Sequence, residues 1–123
     1  MTLEQAGWTF APEPRSSSRA RRLVAQSLVD VPPDRVEVVL LLTTELVANA
    51  VRHGDGPVGL HVAWGDGDVR VDVEDQSPEW PVLRPVDAEA LNGRGLQLVA
   101  GLCSDWGVEP AGTGKTVWFT LQG

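Results

Sequence analysis

Hydrophobic positions along the chain recur in two rhythms, and the switch between them divides it into helices and strands. Trp8-Thr-Phe10 predicts a short first strand closed by Pro12 and Pro14. From Ser16 to Val29, apolar residues fall at three- and four-residue steps (Ala20, Leu23, Val24, Leu28, then Val31), the period of an amphipathic helix. Its other side carries Arg15, Arg19 and Arg22, which suits a solvated face or a face that docks a partner. Pro32-Pro33 breaks that helix, and Asp34-Arg-Val-Glu37 predicts a capping-box start for a second one running to about His53 and stopping at Gly54. The period then becomes two. Val58–Trp64 and Val69–Glu74 predict strands joined through Gly65-Asp-Gly-Asp68, with Val69, Val71 and Val73 on one face and Arg70, Asp72 and Glu74 on the other.

Between Asp75 and Asn92, Pro78, Pro81 and Pro85 interrupt any steady period, so this stretch reads as a long binding loop with one helical turn at Asp87–Leu91. Gly93-Arg-Gly95 opens a short helix, Leu96–Leu102. Trp106–Glu109 and Lys115–Leu121 close the chain as a hairpin across Ala111-Gly-Thr-Gly114. The expected class is α+β: a two-layer sandwich with helices on one face of a mixed, mostly antiparallel sheet.

On the second helix, Val36, Val39, Leu40, Thr43, Val47, Ala50 and Val51 form one broad face suited to cover the sheet. Glu45, Asn49 and Arg52 gather on the opposite side, bordered by Leu41 and Leu42. A solvated back face and the wall of a ligand pocket fit that stripe equally well. The residue types suit nucleotide chemistry. An asparagine oxygen can complete the shell of a Mg²⁺ carried in by phosphates, a glutamate one turn away can accept a proton, and an arginine can pair with phosphate.

Composition narrows the field. The 123 residues make one domain, and 42% apolar with 22% charged residues is an ordinary globular balance. Asp plus Glu outnumber Lys plus Arg by 17 to 10, a net charge of −7 that argues against direct nucleic-acid binding and against anionic membrane surfaces. Cys103, the single cysteine, excludes an internal disulfide framework and fits a small core residue. Residues 1–5 lack the features of a signal peptide, and no apolar run approaches the ~18 residues of a membrane span, so the expected location is cytoplasmic.

Several motifs fall away on inspection. Gly114-Lys115-Thr116 is no phosphate-binding P-loop, because Glu109 stands where a glycine is required and a strand, not a helix, follows. It reads as the entrance to a strand. Gly93-Arg-Gly95 lacks the dinucleotide-binding spacing, yet its place before a helix lets backbone N–H groups face an anion. His53 and His61 have no partners at metal-ligand spacing, and Glu74 and Asp75, as strand neighbours, point apart.

Glu45-Leu-Val-Ala-Asn49-Ala-Val-Arg52-His53, Asp75-Gln-Ser77 and Gly93-Arg-Gly95-Leu96, in this order, resemble the ATP-binding boxes of the histidine-kinase-like (GHKL) ATPase superfamily, and Gly112–Phe119 resembles its closing segment. Within it, the chain is most similar to small bacterial anti-sigma factors that are also serine/threonine protein kinases. There is no length here for the helical hairpin of a self-contained histidine kinase. The resemblance implies an ATP and Mg²⁺ site in which Asn49 binds the metal and Glu45 is the general base. It implies that Asp75 accepts a hydrogen bond from the adenine amino group and that Thr116 helps to hold an adenine-bound water. Gly93, Arg94, Gly95 and Leu96 then border the phosphates, and Arg52, His53 and Ser77 complete the nucleotide site. Ser77 departs from the usual Asp-x-Gly pattern and brings a Cβ to the adenine edge. The implied partners are a sigma factor and an antagonist protein phosphorylated on Ser or Thr, with a homodimer also compatible. The competing reading is a non-catalytic module that uses ATP only to gate protein binding.

Overall fold

The computed structural model describes residues 3–53, 56–77 and 102–122. These form β1 (Glu4–Phe10), α1 (Ser16–Ser27), α2 (Pro33–His53), β2 (Val58–Gly65), β3 (Asp68–Asp75), β4 (Asp105–Ala111) and β5 (Gly114–Leu121). The strands make one sheet in the order β1-β2-β3-β5-β4, and all four described pairings are antiparallel. The expected α+β sandwich is what the chain adopts.

Alternation builds the sheet. Phe10, Val58, Leu60, Val62, Val69, Val71, Val73, Val117, Phe119 and Leu121 are buried and share one face through the strand register. α2 covers this face by lying against β2, β3 and β5, and α1 packs on α2. The β2–β3 reversal uses Asp66 and Gly67, both at positive φ (51° and 85°), the backbone that a two-residue hairpin turn requires. Arg35 ties the start of α2 to this turn by donating to the Gly67 carbonyl.

Some boundaries shift from the expected ones. β1 begins at Glu4 rather than Trp8, because Glu4–Phe10 all pair with β2. α2 begins at Pro33, and the backbone N–H groups of Arg35 and Val36 both reach the Pro32 carbonyl. Proline suits the first helical position, since its missing N–H would have had no helical partner. The expected capping box on Asp34 is therefore not what opens this helix; Asp34 lies inside its first turn. The buried face of α2 is also wider than a single stripe. Leu42 and Leu46 join Val39, Leu40, Thr43, Val47 and Ala50, while Leu41 remains 40% exposed. A helix that touches both the sheet and α1 must bury two adjoining sides.

On the outer face of the sheet, Trp118 lies across Gly107, where an added Cβ would come within 2.7 Å of the indole ring. The Arg70 guanidinium sits 4.6 Å from the same ring and pairs with Asp72 at 3.0 Å. Cys103 packs against the core, half-buried, and burial pushes its thiol above the usual range, as befits a packing residue rather than a reactive one.

Gly114 is required by close approach rather than by a turn. A Cβ there would overlap the Asp75 carbonyl and press on the Gln76 backbone. Backbone cannot swing aside as a side chain can. Gly114→Ala is therefore expected to cost about 3 kcal/mol, the upper end for overpacking. Urea denaturation should show a lower midpoint at an unchanged slope.

Candidate functional site

The second half of α2 carries Glu45, Asn49, Arg52 and His53. Buried Leu46, Val47 and Ala50 anchor this stretch to the layer beneath, which leaves Glu45, Asn49 and His53 half-buried and Arg52 exposed. A four-residue step puts Glu45 and Asn49 one turn apart on the same side of the helix. Arg52 Nη1 donates to Asn49 Oδ1 across 3.4 Å, a long contact that leaves the amide oxygen weakly held. One carboxylate and one amide oxygen are too few to hold a bare divalent ion. The Asn49 oxygen does suit a Mg²⁺ that arrives with phosphate oxygens already in its shell. Among the described residues, no group of three or more His, Cys, Asp or Glu gathers as a metal cluster.

The second part of the site lies where β3 leaves the sheet and β5 enters it. Asp75 ends β3 on the inward side, in step with Val69, Val71 and Val73, and is buried, while its neighbour Glu74 is exposed on the outer face. Asp75 Oδ1 accepts two hydrogen bonds, from the Ser77 backbone N–H at 2.9 Å and from Lys115 Nζ at 2.9 Å. Ser77 and Lys115 are themselves buried, at 3% and 2% exposure. The only lysine of the chain thus sits in a buried ion pair with the aspartate singled out from the sequence.

Thr116 stands elsewhere. The register sets Lys115 opposite Asp75 and Thr116 opposite Glu74. Because side chains alternate, Thr116 points to the outer face, where it lines an open groove of 510 Å³ with Glu74, Glu109, His61, Arg70 and Asp72. Asp75 and Thr116 therefore stand on opposite faces of the sheet. Lys115, the residue before Thr116, is the one that meets Asp75. A signal for it was present in the sequence: Lys115, Val117, Phe119 and Leu121 occupy alternate positions of one strand, so a lysine on the apolar side needed a buried partner.

Gly93, Arg94, Gly95 and Leu96 lie outside the described residues, as do the expected turn at 87–91, most of the loop at 75–92 and all but the last residue of the helix expected over Leu96–Leu102. The described site is therefore two clusters: Glu45, Asn49, Arg52 and His53 on α2, and Asp75, Ser77 and Lys115 at the strand ends.

Two helices layered on one face of a five-stranded antiparallel sheet are consistent with an ATPase domain of the histidine-kinase type. The histidine kinase-like ATPase domain family matches residues 10–121, and the chain belongs to that family. Among solved structures, the crystal structure of the RsbU and RsbW domains of Rv1364c from Mycobacterium tuberculosis is similar in fold. The TM-score is 0.70 at 20% identity, over 97% of this chain and 32% of that one, so this chain spans about a third of its length. No curated protein matches the chain significantly. Among the described residues, no helix is long and apolar enough to cross a membrane.

Proposed function

We propose that the protein is a Mg²⁺-ATP-dependent regulator of the anti-sigma type that transfers the γ-phosphoryl group of ATP to a serine or threonine of an antagonist protein and sequesters a sigma factor. The observation that carries this reading is the Glu45–Asn49 pair, one turn apart on the anchored, half-buried side of α2, in a chain of the ATPase family. The likeness of the fold to a structure containing an RsbW domain supports the choice of branch.

In this reading Asn49 Oδ1 completes the Mg²⁺ shell, and Arg52, His53 and Arg94 offset phosphate charge. Mg²⁺ would supply charge neutralisation on the phosphate oxygens. The Glu45 carboxylate takes the proton of the attacking hydroxyl, a new O–P bond forms at the γ-phosphorus, and the bond to the leaving ADP oxygen breaks. Asp75 accepts from the adenine amino group, which can only donate. Gly93, Gly95 and Leu96 lie at the phosphates, Ser77 lies at the adenine edge, and the protein works in the cytoplasm.

Incubation with radiolabelled ATP and the candidate sigma and antagonist proteins tests the proposal. Label on Ser or Thr of the antagonist supports it. Nucleotide-dependent capture of a partner without label would instead favour a non-catalytic, ATP-gated clamp.

Asp75→Asn sets an amide donor before an adenine donor, and the unpaired group should weaken Mg²⁺-ATP binding roughly 5- to 150-fold. Calorimetry checks this, with a melting curve of the unliganded variant beside it because the substitution also unpairs Lys115. Undiminished binding would remove Asp75 from the site.

A further inference from the structure

Lys115 has no task in the chemistry described so far. A buried lysine is expensive, and a Lys–Asp pair of this kind commonly adds less stability than an apolar pair of the same volume would. Its position is also sterically enforced. Gly114 has no Cβ, which lets β5 pass so near the Asp75 backbone that the next residue meets the carboxylate. The two side chains meet at the ends of their strands, at the rim of the sheet rather than under its middle.

The ion pair has a definite hydrogen-bonding character. Asp75 Oδ1 is taken by Ser77 N–H and Lys115 Nζ, which leaves Oδ2 as the acceptor for a ligand. An ammonium carries three protons, and Asp75 Oδ1 uses one of them. The pair thus offers one acceptor and, next to it, a donor, with a net charge of zero. A neutral heterocycle whose edge sets a donor beside an acceptor is its complement. Adenine has that edge in its amino group and the adjacent ring nitrogen N1.

We propose that Lys115 is a base-reading residue: its ammonium, oriented by Asp75, donates to N1 of adenine while Asp75 Oδ2 accepts from the amino group. This rests on the ATP-binding reading above and adds to it a specificity-determining residue. A lysine that merely braced Asp75 would leave the protein indifferent to N1, and that difference can be measured.

The test compares calorimetric binding of Mg²⁺-ATP with that of Mg²⁺-1-deaza-ATP, in which a C–H replaces N1, first on the unaltered protein. The deaza analogue is expected to bind roughly 10- to 100-fold more weakly, the usual loss for a hydrogen bond to a charged donor. Lys115→Met, checked for folding by circular dichroism, should bind ATP more weakly and should no longer distinguish the two nucleotides. Equal binding of both nucleotides by the unaltered protein overturns the role of Lys115 while leaving the ATP site standing. A Lys115→Met protein that keeps the full preference for ATP overturns it too. If the unaltered protein binds no Mg²⁺-ATP at all, the nucleotide reading fails and this one falls with it. The comparison on the unaltered protein needs no substitution, so an unfolded variant would not rescue the proposal.

Discussion

Glu45→Gln is expected to slow phosphoryl transfer by ~10²–10⁴-fold while leaving Mg²⁺-ATP affinity within about twofold, because a positioned general base contributes about that much to a proton transfer. The substitution keeps the shape of the side chain and its place on α2, and in the proposed mechanism it removes only the ability to take the proton from the attacking hydroxyl. Glu45 is half-buried and, among the described residues, makes no hydrogen bond or ion pair, so the fold should lose little. Asn49, one turn on, is unaltered, so the proposed Mg²⁺ ligand stays in place. Single-turnover transfer from radiolabelled ATP, with binding measured separately, resolves the two effects. Transfer at the parent rate would place the base elsewhere and reduce Glu45 to one residue of a polar stripe.

Where a periodic pattern was long, the fold was legible from it. The alternation of Val69, Val71 and Val73 located β3, and the Asp66-Gly67 reversal located its hairpin, since both follow from backbone geometry alone. α2 shows where such reading stops. A helical wheel gives one apolar face against one layer, but Leu42 and Leu46 are buried because the helix also meets α1, a contact that no single-helix pattern encodes. The same holds for the site. Glu45 and Asn49 were readable because four residues of helix are a local ruler. Asp75 and its partner come from strands 40 residues apart, and only the β3–β5 register decides whether Lys115 or Thr116 faces it. Strand parity puts the lysine there.

That parity leads to the second large effect expected. Lys115→Met should cost about 3–5 kcal/mol of folding stability, because it leaves the Asp75 carboxylate buried without its countercharge. The methionine itself fits an apolar surrounding, so the loss would come from the partner left behind and not from lost packing. The double variant Asp75→Asn with Lys115→Met removes the stranded charge, and an asparagine oxygen can still accept from the Ser77 N–H. It should therefore be more stable than Lys115→Met alone, by roughly 2–4 kcal/mol on the scale of broken buried pairs. Urea denaturation of the parent, both single variants and the double variant closes the cycle. A cost below about 1 kcal/mol for Lys115→Met is the value of a surface pair and would mean that water reaches Asp75 freely.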